Sequence, residues 1–104
     1  MTGLRAVPHQ PSMGPVATVL RNKLTAAFAP ARLDIVDESH RHAGHAGARP
    51  EGETHFRIEI VSAAFAGRSR VERQRLVYAA LAEELKTRVH ALQLTTRTPE
   101  EAGL

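Results

Sequence analysis

The chain has 104 residues, a formal net charge of +3 and no cysteine, a size that suits one domain with a single core. Without thiols it can form neither a disulfide nor a thiolate metal site, so folding must rest on apolar packing. No apolar run approaches membrane-spanning length and the N-terminus lacks the apolar core of a secretory signal, which together read as a cytoplasmic protein with no membrane contact.

Residues 1–13 show no periodicity and carry Pro8 and Pro11, the pattern of a disordered leader. The ordered domain is expected over 14–104, starting where Pro15 sits in a first helical turn that does not need its missing N–H. Val16, Leu20, Leu24, Ala27 and Phe28 then recur at helical spacing up to Pro30. Leu33 to Val36 is a short strand. His40 to Gly52, rich in glycine, alanine and histidine, reads as a long hairpin loop.

From Thr54 to Ser62 the pattern alternates. Phe56, Ile58 and Ile60 point one way and His55, Arg57 and Glu59 the other, as in a strand with one wet face. Phe65 to Arg68 is a turn, and Ser69 with Glu72 makes a capping box for the next helix. Val71, Leu76, Val77, Ala80, Leu81 and Leu85 supply an apolar stripe long enough for two helical pieces joined by a bend. Val89 to Arg97 returns to strand chemistry, and Thr98-Pro99-Glu100-Glu101 opens a short last helix. The expected fold is α+β, in the order αββ(αα)βα, with helices on one face of a three-stranded mixed sheet and the His55, Arg57, Glu59 face left open.

Two clusters stand out. Of 6 histidines, His40, His42, His45 and His55 are grouped and His90 is isolated. Imidazole is a ligand for iron, copper and zinc, whereas an iron–sulfur cluster normally needs thiolates that this chain would have to borrow. A zinc or copper site built from the loop histidines alone would be poorly preformed among flexible glycines. The second cluster is Arg68, Arg70, Arg73 and Arg75 at a helix start, suited to phosphates or to an acidic protein face. With 1 tyrosine, 3 phenylalanines and no tryptophan there is little surface on which bases could stack. No cysteine nucleophile, phosphate loop or serine–base pairing points to an enzyme.

Several segments, in order and with compatible spacing from about Pro15 to Glu101, carry a resemblance. They are Asp37-Glu38-Ser39 followed by histidines, Glu53-Thr54-His55-Phe56, Val61-Ser62 with Phe65 and Gly67, RQRLVY at 73–78, Leu81-Ala82-Glu83-Glu84-Leu85, and Val89-His90-Ala91-Leu92. The sequence resembles the BolA family. That resemblance implies a class II KH-like fold and a heterodimer with a monothiol glutaredoxin. The pair would hold a bridged [2Fe-2S] cluster with thiolates from the glutaredoxin and glutathione, and none would be bound by this chain alone.

It further implies His90 as a cluster ligand, with a second ligand from the loop between the first two strands. His42, three residues after Ser39 as the family pattern expects, ranks ahead of His45, which competes because the stretch from His42 to Gly47 is longer than that pattern, and His40 is third. His55 is read as a structural or ligand-orienting group. BolA-like proteins are also regarded as transcriptional regulators, so DNA binding through the four arginines is the competing function. Against it, Gly67-Arg68-Ser69-Arg70 supplies only the first glycine of the GxxG clamp found in RNA-binding KH modules.

Overall fold

The computed structural model describes residues 14–38 and 53–104. The expected leader over 1–13 and the His40 to Gly52 loop, with His40, His42 and His45, lie outside the described residues. The elements are α1 (Pro15–Phe28), β1 (Arg32–Asp37), β2 (His55–Val61), a 3₁₀ turn (Ala63–Phe65), α2 (Arg70–Ala80), α3 (Ala82–Thr87) and β3 (Ala91–Arg97). The sheet order is β1-β2-β3. β1 runs antiparallel to β2, and β3 runs parallel to it in the register His55↔Ala91 to Val61↔Arg97. This is the α+β architecture expected from the alternation of element types, with a mixed sheet flanked by helices.

The core forms where two periodicities meet. Leu20, Leu24 and Phe28 of α1 pack with Phe56, Ile58 and Ile60 of β2, and Phe65, Val77 and Leu81 complete the cluster. Ala17 is buried beside Val16 while Ala27 is exposed, so the apolar stripe of α1 is rotated slightly from the expected one. Ser62, buried behind Phe28, donates its hydroxyl to the Phe28 carbonyl at 2.6 Å and accepts from Ala64 N–H at 3.0 Å. It fastens the end of α1 to the end of β2. Phe28 and Phe65 rings meet at 5.2 Å.

Ser69 and Glu72 form the expected capping box, each side chain accepting from the other's backbone N–H. The bend between the helical pieces falls at Leu81, whose side chain is fully buried. Val71 corrects the expected stripe. It is 55% exposed because the core-facing row of α2 runs through Val77, and a residue six positions earlier lies well away from that row.

Two further expectations are corrected. β3 begins at Ala91 rather than Val89, since Val89 N–H still bonds to Glu84 O at 2.8 Å and its side chain is buried under the end of α3. The expected last helix is instead a hydrogen-bonded turn over 99–103. Thr98 and Glu101 do cap one another, with Thr98 N–H on Glu101 Oε1 at 2.9 Å and Glu101 N–H on Thr98 Oγ1 at 3.1 Å. But Gly103 adopts φ 76, and the bonds from Gly103 N–H to Glu100 O and from Leu104 N–H to Pro99 O form a helix-terminating motif. The stop signal arrives before a second turn can form.

Candidate functional site

One edge of the sheet brings together His55 and His90, two of the residues singled out by the resemblance. β2 and β3 are parallel and both start there, and antiparallel β1 ends there. Thr54, buried just before β2, is the hub. Its carbonyl accepts from His90 N–H at 2.7 Å and from Ala91 N–H at 3.2 Å. Its hydroxyl lies 2.8 Å from His55 Nδ1. These bonds fix the main chain under His90 while its side chain is exposed. His55 is half-buried, and the two imidazole rings sit 6.3 Å apart, edge to face.

The segment carrying His42 and His45 leaves and re-enters at this same edge. Glu38 N–H bonds to His55 O at 2.8 Å, and Glu38 pairs with Arg57 at 2.8 Å. On the returning side Glu53 N–H donates to Asp37 Oδ2 at 3.0 Å. Glu53 takes φ 65, and its carboxylate turns back to accept from Val16 N–H at 3.2 Å and Ala17 N–H at 2.9 Å. A carboxylate on the first turn satisfies orphan donors and opposes the positive end of the helix dipole. Gly14 leaves room for it, since a β-carbon at Gly14 would overlap the Glu53 carboxylate and displace it. Glu53 and Thr54 were legible only as letters of the ETHF motif; their roles are long-range and carry no local pattern.

A second support comes from α3. Glu84, buried, pairs with Lys23 of α1 at 2.7 Å, and its carbonyl accepts from both Arg88 and Val89 N–H at 2.8 Å. The turn into His90 is thus tied to α1 and α3 as well as to β2. Among the described residues, no three His, Cys, Asp or Glu side chains come together as a metal cluster. The described part of this edge offers one exposed imidazole and one half-buried one, so a metal held here needs ligands from the loop or from another molecule.

The arginine group lies at the other end of the sheet, and the structure divides it. Arg73 is only 12% exposed. Its guanidinium grips Glu101 with both terminal nitrogens at 2.7 and 3.2 Å, donates through Nε to Arg68 O at 3.0 Å, and lies 6.0 Å from the centre of the Phe65 ring. The Arg73 hydrogen bond, helped by Thr98 N–H, holds the Glu101 carboxyl down at about 2, and the same pairing raises the Arg73 pKa. Arg73 is a structural residue, whereas Arg68, Arg70 and Arg75 are exposed. Arg97, outside the sequence-based set, joins Arg68 and Arg70 in lining an open cleft between α2 and β3. β3 rises ~3.3 Å per residue, so roughly 20 Å separates this cleft from His90.

The fold defined by these elements is a small mixed-sheet domain with a histidine edge and a basic end. The family profile described as BolA-like protein matches residues 24–101. SufE-like protein 1, chloroplastic/mitochondrial, of Arabidopsis thaliana is 46% identical over 86 residues, covering 79% of this chain and 23% of that protein. The DNA-binding transcriptional regulator BolA of Escherichia coli is 48% identical over 82 residues, covering 79% of this chain and 74% of the relative. The solved BolA domain of SufE1 from Arabidopsis thaliana superposes with a TM-score of 0.77 at 43% identity, covering 86% of this chain and 99% of that one.

The chain belongs to the BolA family. Its members are regulatory and adaptor proteins rather than catalysts. The chain spans 23% to 64% of the length of several plant and primate relatives. The cytoplasmic expectation is overturned. It rested on a missing signal alone, and relatives whose names carry a compartment, the SufE-like protein above and a plant BOLA1, are chloroplastic/mitochondrial and chloroplastic. No helix among the described residues is long and apolar enough to cross a membrane.

Proposed function

We propose that this domain is an iron–sulfur adaptor that pairs with a monothiol glutaredoxin and co-ligates a bridged [2Fe-2S] cluster through His90. The observation that carries this reading is the exposed His90 side chain on a main chain pinned by two hydrogen bonds to Thr54. Little ordering entropy remains to be lost there when a ligand atom is captured. The second ligand is His42, with His45 as the alternative. His42 stands four residues beyond Glu38, a reach of at most about 14 Å from the His90 edge, against about 25 Å for His45.

His55, held at Nδ1 by Thr54, orients the site. The thiolates come from the glutaredoxin and glutathione, since this chain has no cysteine. Histidine ligation lessens the negative charge on a cluster and raises its potential, which suits transient holding. The element order and the antiparallel-then-parallel sheet support a class II KH-like description of the fold.

The test is visible circular dichroism of the chain mixed with cluster-loaded monothiol glutaredoxin and glutathione. A new spectrum is expected with the native chain, absent with His90→Ala and weakened more by His42→Ala than by His45→Ala. No spectral change with a competent glutaredoxin refutes the reading.

DNA binding is the second reading. The exposed Arg68, Arg70 and Arg75 favour it, as does the similarity to the DNA-binding transcriptional regulator BolA of Escherichia coli. Arg73 drops out of its contact set, being committed to Glu101. Because the two surfaces lie at opposite ends of the sheet, Arg70→Glu is expected to leave the His90-dependent spectrum unchanged.

A further inference from the structure

We infer that the cleft between α2 and β3 is a binding site for a phosphate group, with Arg68, Arg70 and Arg97 as its ligands and Arg73 as its fixed rear wall. The inference is independent of the iron–sulfur reading. The cleft has a volume of ≈ 390 Å³ and is lined by Arg68, Arg70, Arg73, Leu94, Thr95 and Arg97 among others. That volume is in the range of small-ligand sites.

The charges there do not cancel. Glu101 also lines the cleft, but both its oxygens are engaged by Arg73. Arg97 has one carboxylate within reach, Glu59 at 3.6 Å, and the Arg97 side chain is 48% exposed, so that pair is screened and easily exchanged. Arg68 uses its Nε on Ala64 O at 3.3 Å, which leaves its terminal nitrogens. Arg70 makes no ion pair among the described residues.

Three guanidinium groups from the turn before α2, its first residue and the end of β3 therefore face one hollow. A single carboxylate satisfies one of them, whereas a phosphate presents several oxygens and up to two charges to the planar forks of arginine. Thr95, exposed on β3, adds a hydroxyl donor to the lining. The Arg73–Glu101 clamp ties α2 to the turn after β3 and so keeps the two walls at a fixed separation. The phosphate belongs either to a nucleic-acid backbone or to a free phosphate-bearing molecule.

The experiment is titration of the whole chain with sodium pyrophosphate at low ionic strength, followed by backbone amide NMR shifts. Saturable shifts confined to Arg68–Gln74 and Leu94–Arg97 are expected, with affinity falling at least ten-fold in Arg70→Gln and in Arg97→Gln. Lys86→Gln, exposed on α3 and outside the cleft lining, is expected to stay within two-fold of the native chain. Far-ultraviolet circular dichroism confirms that these surface variants remain folded.

Shifts that do not saturate, or that survive unchanged in Arg70→Gln/Arg97→Gln, overturn the inference. A parallel arm uses a duplex oligonucleotide. Binding that pyrophosphate displaces and that Arg97→Gln weakens assigns the phosphate to nucleic acid, while saturable pyrophosphate binding without duplex binding assigns it to a small ligand and removes the DNA reading.

Discussion

Replacing Glu53 tests whether a residue sixteen positions beyond β1 holds the first turn of α1. Glu53→Ala removes both acceptors from the Val16 and Ala17 N–H groups and the charge facing the dipole, a loss of about 1–2 kcal/mol. It leaves the left-handed backbone at φ 65 in a residue with a β-carbon. Glu53→Gly loses the same cap but relieves about 1 kcal/mol of that conformational cost, partly offset by the freer unfolded chain. Glycine is therefore expected to be milder than alanine by about 0.5 kcal/mol.

For a domain of this size each kcal/mol moves Tm by about 4–8 °C, so the alanine variant is expected to melt about 5–15 °C lower. Hydrogen exchange should speed up at Val16 and Ala17 in both variants. Gly14→Ala, whose β-carbon would displace the same carboxylate, is expected to mimic Glu53→Ala, and the double variant to lose little more than either single one. Additive losses, unchanged exchange at Val16 and Ala17, or a glycine variant less stable than the alanine one would refute the reasoning.

Leu81→Ala, at the fully buried bend between α2 and α3, is expected to cost about 2–5 kcal/mol in urea unfolding, and a loss under 1 kcal/mol would show that the bend repacks. Glu101 titrates lower in the folded chain, at about 2, than an unperturbed carboxylate, so its stabilisation is fully present above the ordinary carboxylate range and is lost as pH falls through about 2. Native and Glu101→Gln chains should therefore differ in Tm at pH 7 and converge towards pH 2. A gap that persists at pH 2 would assign the effect to something other than the carboxylate charge.

The division of the domain into two ends has a functional consequence. At the His90 edge main-chain bonds to Thr54 fix a turn and leave an imidazole outside; at the other end side-chain ion pairing fixes a clamp and leaves arginines outside. The two lie roughly 20 Å apart along β3, so a partner at one end need not displace a ligand at the other. Substitutions at the two ends are expected to act independently.

Much of the architecture was legible because it is written in local periodicity. The alternation of Phe56, Ile58 and Ile60 specified a one-faced strand, the helical recurrence of Leu20, Leu24 and Phe28 specified α1, and Ser69 with Glu72 specified where α2 begins. Where an expectation failed, a competing local signal or a packing angle prevailed: Gly103 closed the last turn, and α2 rotated Val71 into solvent.

The sequence by itself determined the order from α1 to β3, the core face of β2 and most of that of α1 and, through the spacing of VHAL and ETHF, the family. Only the tertiary structure decided which side chains share a site. Parallel pairing of β2 with β3 brings His55 to His90, the Glu53 carboxylate reaches α1, Glu101 removes Arg73 from the exposed arginines, and Arg97 joins them from β3. The physical reason is range. Periodicity and capping act within a few residues and leave a repeating pattern, whereas an ion pair or a helix cap between distant segments depends on how the elements pack and leaves no pattern in the chain.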